Sequence, residues 1–197
     1  MCGMGRVALP MVDFLDKKKR WRYDGFEIVC KGAEWCQKKY RQHTHFKFIH
    51  ADVYNPEGTT KSSEYRFSYP DNTFDFVLLT SVFTHMMSTD MENYFREIVR
   101  VMKPGATSFI TYFILNEDNL KLIKQGKMHK NFNFQYDYDL YQLVRGNDPE
   151  DAIGFKLDYL QKIYADNNLK IKALVLYGAW SGREQYYSFQ DVIIAHK

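Results

Sequence analysis

A chain of 197 residues is long enough to bury a sizeable core in one domain, and its 45% apolar and 26% charged content is that of an ordinary globular protein. A net charge of +3 is too small to indicate a nucleic-acid surface. No apolar run approaches the roughly 18–20 residues of a membrane span, and no basic region followed by an apolar core opens the chain. Cys2, Cys30 and Cys36 lack metal-ligand spacing. The expectation is one domain over residues 1–197, cytoplasmic by default, with no membrane, nucleic-acid or metal partner.

In chain order, Gly3 and Gly5 stand in a G-x-G spacing before the apolar-periodic Val7 to Leu15. This predicts a tight loop opening a helix, where bare glycine backbone and free N–H groups suit a ligand. Lys17 to Arg22 is the densest basic run. Cations closing that helix explain it better than a nucleic-acid patch. Tyr23 to Cys30 reads as a strand with Glu27 near its end, 22 positions after Gly5. An acid about 20 residues beyond a glycine loop is placed to hydrogen-bond a ribose diol. Gly32 to Tyr40 reads as a helix and Phe46 to Val53 as the next strand, closed by Asp52. Acids ending successive parallel strands converge on one edge of a sheet. The polar stretch from Asn55 to Asp71 is long for an α/β loop and suggests a lid or binding loop.

After Asp75, Phe76 to Leu79 is apolar at consecutive positions, which predicts a strand buried on both faces. It breaks into Thr80-Ser81, then Val82, Phe83, Thr84 and His85. Ligands of open α/β sheets sit just outside the carboxyl ends of strands, so these residues are a candidate site; a plain core strand with a polar stop fits equally well. Helical spacing runs from Met91 to Met102, with Ser88 or Thr89 able to cap it and Lys103-Pro104-Gly105 to stop it. Ala106 to Leu115 reads as a strand. Residues 116–154 leave the alternation and suggest a cap over the site, with Asn131 to Tyr141 alternating polar and aromatic like a half-buried strand. Lys156 to Ala165 reads as a helix and Leu169 to Tyr177 as a strand. A glycine-flanked loop, Gly178 to Arg183, carries Trp180. Tyr186 to Lys197 predicts a last, antiparallel strand, because the connection is too short for a crossover helix.

These pieces, in this order, resemble the class I S-adenosylmethionine-dependent methyltransferases of the small-molecule type. Cys2-Gly3-Met4-Gly5-Arg6 is similar to the end of the family's glycine-rich cofactor loop. Glu27 matches the acid that holds the ribose hydroxyls, and Asp52, with Val53 after it, the acid that contacts the adenine amine. Phe74 to Val77 with Ser81 to His85 matches the segment near the methionine part of the cofactor and the acceptor. Arg100 to Gly105 is similar to the family's helix stop, and Gly178 to Arg183 with Gln190-Asp191 to a subgroup's C-terminal signature. The resemblance implies a Rossmann-like α/β fold, mostly parallel with an antiparallel last strand, and S-adenosyl-L-methionine as cofactor. Gly3, Gly5, Glu27, Asp52, Val53, Ser81 and Val82 then belong to the cofactor. Phe83, Trp180 and Arg183 are then candidates for a small-molecule substrate, although a purely structural loop fits Trp180 and Arg183 equally well.

Met1 stands where the family's first glycine falls, and the strand that feeds the loop is absent. That makes an N-terminally truncated form of a larger enzyme the favoured expectation, since a missing central strand leaves backbone groups of its neighbours exposed; a natural short form with a weakened cofactor site is the other. Methyl transfer is an in-line displacement in which the protein aligns donor and acceptor. Where the acceptor holds its proton at neutral pH, His85 is the candidate general base, against a role in packing or capping the next helix. The expected function is methyl transfer to a small molecule, at oxygen rather than elsewhere. A non-catalytic, methyltransferase-like binding domain or inactive fragment is the alternative. A nicotinamide-dependent oxidoreductase fits less well, because only Ala8 loosely meets the third position of a G-x-G-x-x-G/A loop.

Overall fold

The computed structural model describes residues 5, 7–16, 21–53, 59–172 and 175–197. The expectations attached to Gly3, to Lys17–Arg20 and to Pro56 and Gly58 lie outside the described residues. The chain divides into two compact units, Met1–Phe67 and Ser68–Lys197.

In the first unit α1 (Ala8–Asp16) precedes β1 (Tyr23–Glu27), α2 (Cys30–Lys39) and β2 (Phe46–His50). β1 and β2 pair in parallel from Tyr23 opposite Phe46 to Glu27 opposite His50, so α2 is the crossover helix of a βαβ unit. Ala8, Cys36, Tyr40 and Phe48 form its buried core, with Tyr23 and Phe46 packed against them. Tyr40 also reaches back to the start of the chain, where its hydroxyl donates to the Gly5 carbonyl at 3.2 Å. The same carbonyl receives the Leu9 N–H at 2.9 Å, which begins α1. Gly5 has φ +74°, and a Cβ there would lie 2.8 Å from the Tyr40 ring and hydroxyl. The glycine is therefore needed twice, for its left-handed backbone and for the space the tyrosine fills. Gly5→Ala is expected to cost about 1–3 kcal/mol in urea denaturation; an unchanged midpoint would show that the loop relaxes freely.

The second unit holds β3 (Phe74–Leu79), α3 (Ser88–Val101), β4 (Met102–Tyr112), β5 (Ile114–Leu115), α4 (Glu117–Lys124), β6 (Tyr136–Asp137), β7 (Tyr141–Leu143), β8 (Ile153–Lys156), α5 (Leu157–Asp166), β9 (Lys170–Ile171) and β10 (Asp191–His196). One sheet has the order β3-β4-β10-β9 and the other β5-β8-β7-β6. β3 pairs parallel to β4 and β5 to β8, while β10 runs antiparallel to β4. The chain is thus α/β with open, mixed sheets, and its last strand is antiparallel as predicted.

α3 forms because Met91, Tyr94, Phe95, Ile98 and Val101 recur at helical spacing and are all buried. Its carboxyl end is closed from far along the chain: the Lys197 ammonium donates to the Val99 and Met102 carbonyls at 2.8 and 2.7 Å. Arg100 grips both oxygens of Glu97 and donates to the Tyr69 carbonyl and to Asp71, tying the turn before β3 to the helix. Glu97 and Asp71 raise the guanidinium's pKa, the Glu97 hydrogen bond first.

Several expectations are corrected. β3 is not buried on both faces: it is the edge of its sheet, and Phe76 is 49% exposed. Neither Ser88 nor Thr89 caps α3; the N-cap is Met87, with no side-chain bond. Of Asn131 to Tyr141, only Tyr136–Asp137 and Tyr141, the first residue of β7, are strand, because Phe132 and Phe134 turn inward onto Phe113. Among the described residues of Leu169 to Tyr177, only Lys170–Ile171 and a bridge at Leu176 join the sheet. The predicted strand from Ala106 to Leu115 is interrupted at Phe113, so β4 and β5 belong to different sheets.

Candidate active site

At the carboxyl end of the β1–β2 pair, Glu27 is the last residue of its strand and is 4% exposed. Its Oε1 accepts the N–H groups of Ile28 and Val29 at 3.0 and 3.1 Å. The carboxylate therefore folds over the chain leading into α2, whose positive N-terminal pole favours an anion. Two residues beyond β2, Asp52 is exposed and accepts the Thr59 hydroxyl at 2.6 Å and the Thr59 N–H at 2.9 Å. Those bonds, the hydroxyl first, hold its carboxyl below the usual range. Val53 is buried and its N–H donates to the Ala51 carbonyl at 2.8 Å. Glu27 thus ends β1, and Asp52 follows β2, at the carboxyl end of the parallel pair.

In the second unit the chain leaving β3 enters a left-handed turn at Ser81, with φ +52°. The Ser81 N–H donates to the Thr111 hydroxyl at 2.9 Å, and its own hydroxyl donates to Gln190 Oε1 at 3.0 Å. Val82 and Phe83 are buried, and Phe83 packs on Tyr112 and Phe95 with ring centroids 5.7 and 6.4 Å apart. Phe83 therefore lies inside the core rather than on an open wall. His85 ends a short 3-10 turn and is exposed; its Nδ1 lies 2.9 Å from the Glu150 carbonyl. In a neutral ring that contact places the proton on Nδ1 and leaves the Nε2 lone pair to accept another.

Trp180 and Arg183 have structural partners. Trp180 is fully buried, and its indole N–H donates to Asp191 Oδ2 at 2.7 Å. The same carboxylate accepts the Ile114 and Gly178 N–H groups, each at 2.7 Å. Burial pushes the Asp191 carboxyl up to about 6, against these three donors and Arg183, which favour the ionised form. Arg183 donates to the buried Asn119 Oδ1 at 2.7 Å and lies over the Tyr177 ring at 4.1 Å. Asn119 also accepts from Ser181 and donates to the Ile114 carbonyl. Gly182, at φ +87°, closes the loop where a Cβ would strike the Lys127 carbonyl at 2.1 Å. An open groove beside Arg183 is lined by Asp118, Lys121, Lys127 and Glu184.

Gln190 and Asp191 join these groups, one reaching Ser81 and the other Trp180. Thr111, Asn119 and Gln190 were not singled out as site residues by sequence reasoning. The Gln190-Asp191 signature pair, and a threonine beside Tyr112 and Phe113 at the end of β4, were the available signals.

A methyltransferase-domain family model matches residues 2–110, more than half of the chain. The chain belongs to the class I S-adenosylmethionine-dependent methyltransferases. A Methanosarcina mazei S-adenosylmethionine-dependent methyltransferase shares the fold at TM-score 0.62 and 21% identity, over 100% of this chain and 89% of that one. An O-methyltransferase from a Brevibacillus brevis polyketide multienzyme, in complex with S-adenosyl-L-homocysteine, aligns at TM-score 0.58 and 14% identity, over 89% of this chain and 46% of that one. The [4+2]-cyclase SpnF aligns at 0.53 and 16% identity, over 86% of this chain and 48% of that one. The fold alone therefore does not name a reaction.

S-adenosylmethionine is the family's methyl donor, and the first unit has the chemistry to receive it. Ribose hydroxyls and the adenine amine are hydrogen-bond donors, and Glu27 and Asp52 supply acceptor carboxylates at one strand edge. Among the described residues no cluster of three His, Cys, Asp or Glu side chains could hold a metal, and no helix is long and apolar enough to cross a membrane.

Proposed function

We propose that this chain transfers a methyl group from S-adenosylmethionine to an oxygen atom of a small-molecule acceptor. The observation that carries the reading is the buried Glu27 carboxylate ending β1 with Asp52 just beyond the parallel β2. Glu27 takes the ribose hydroxyls and Asp52 the adenine amine; Gly5 and Val53 shape the backbone around the adenosine and its neighbouring groups, and Gly3 is assigned to the cofactor with them. Ser81 and Val82 serve the methionine end. When bound, the cofactor supplies a sulfonium-activated methyl group, and the rest of the reaction is alignment.

The exposed His85 is the general base. With Nδ1 held by the Glu150 carbonyl, Nε2 is the atom that takes the acceptor's hydroxyl proton. Phe83 supports this segment from beneath through its packing on Tyr112. Residues 116–154 act as the substrate cap, and Trp180 and Arg183 keep the loop beside it in shape. The Brevibacillus brevis protein of the same fold is an O-methyltransferase, which supports oxygen as the target.

The test is calorimetric titration with S-adenosylhomocysteine, together with transfer of radiolabelled methyl from S-adenosylmethionine to a panel of small phenols and hydroxy acids. Micromolar binding and labelled ether or ester product are expected, and His85→Ala should lower turnover while leaving S-adenosylhomocysteine affinity within about twofold. Binding without transfer to any acceptor favours the alternative, a methyltransferase-like binding domain. No binding at all overturns the reading.

A further inference from the structure

Three described residues other than glycine have positive φ: Asn72, Ser81 and Asn168. Asparagine tolerates the left-handed region through its short amide, whereas serine has no such ease and needs its surroundings to hold it there. Ser81 is held by two hydrogen bonds, from its N–H to Thr111 Oγ1 and from its hydroxyl to Gln190 Oε1. The Thr111 hydroxyl in turn donates to Gln190 Oε1 at 2.7 Å. Thr111 thus accepts the Ser81 N–H and donates its own proton to Gln190 Oε1, as a hydroxyl with one donor and two acceptor sites can. One amide oxygen thus collects two hydroxyls from the ends of β3 and β4. Gln190 is itself anchored, because the next residue, Asp191, is clamped by three N–H donors.

We propose that Gln190 is a positioning residue: through Thr111 and the Ser81 hydroxyl it fixes the left-handed turn that sets the Ser81–Val82 backbone for the methionine end of the methyl donor. This rests on the assignment of Ser81 and Val82 to the cofactor. Ser81 carries the strained backbone, Thr111 relays the hold, and Gln190 makes it rigid. A glycine at 81 adopts the same φ without strain, so it separates the conformation from the chemistry of the side chain.

The experiment compares wild type, Gln190→Ala, Ser81→Gly and the double variant by two readouts: S-adenosylhomocysteine affinity by calorimetry and amide hydrogen exchange at residue 81. Gln190→Ala is expected to weaken binding about tenfold and to speed exchange of the Ser81 amide, while Ser81→Gly in the same chain restores most of the affinity. Gln190→Glu keeps an acceptor oxygen and should remain within about threefold of wild type. Wild-type affinity in Gln190→Ala, or failure of the glycine to restore it, overturns the positioning role alone. A wild-type chain that binds no S-adenosylhomocysteine overturns the cofactor assignment and the positioning role with it.

Discussion

Asp191→Ala is expected to lower the stability of the protein by about 3–5 kcal/mol, more than the loss of any one of the groups that donate to it. Asp191 is fully buried, and its two oxygens take three N–H donors from three separate places: Ile114 in β5, Gly178 before the tryptophan loop, and the Trp180 indole. Removing the carboxylate strands all three donors in a dry environment, where each unpaired group costs on the order of 1–3 kcal/mol. The asparagine variant sharpens the test. Gly178 bonds one oxygen while Ile114 and Trp180 share the other. An amide offers one oxygen and one NH₂, so at least one donor meets another donor whichever way it is turned. Asp191→Asn should therefore cost a smaller but still substantial part of the alanine loss. Trp180→Phe removes a single donor, keeps most of the ring contact with Phe113 and Phe134, and should cost about 1–2 kcal/mol. Urea denaturation of the three variants gives the order directly. A loss below about 1 kcal/mol for Asp191→Ala would mean that water replaces the clamp.

The same clamp explains what could and could not be read from the sequence. α3 was legible because its buried positions repeat at helical spacing and a Lys-Pro-Gly stop follows. The places of Glu27 at the end of β1 and of Asp52 just beyond β2 were legible because each acid lies near the end of a short run that reads as a strand, a purely local signal. The hydrogen-bond partners of Trp180 and Arg183 were not legible. An aromatic and a cation in a glycine-flanked loop look like a substrate wall, yet their partners are Asp191 on one side and Asn119, over sixty residues away, on the other. No local pattern announces such pairings. Residues 131–141 misled for a related reason: strict alternation is a strand signature only where a neighbour offers a ladder. Phe132 and Phe134 found Phe113 instead, and Phe134 also Trp180, so packing displaced pairing. β3 had the composition of a buried strand, and its position at a sheet edge is a property of topology rather than of its own residues.

Glu27→Gln is expected to weaken S-adenosylhomocysteine binding by about 10- to 150-fold, the loss of one hydrogen bond to a charged acceptor. The amide has nearly the volume of the carboxylate, and its one oxygen can keep the Ile28 and Val29 N–H groups that Oε1 accepts now. What it loses is the second acceptor oxygen and the charge. A ribose diol presents donors, and an NH₂ facing them offers only another donor. Asp52→Asn should do much less. Asp52 is exposed and already spends both oxygens on Thr59, and water and salt screen its charge more than that of the buried Glu27. The contrast between the two acids is what the burial difference predicts, and calorimetry on the two variants reads it without knowledge of the acceptor. Equal losses would mean that the adenosine is held by charge in general rather than by the geometry at the end of β1. An affinity for Glu27→Gln within twofold of wild type would remove Glu27 from the cofactor site, and with it the observation on which the proposed function rests.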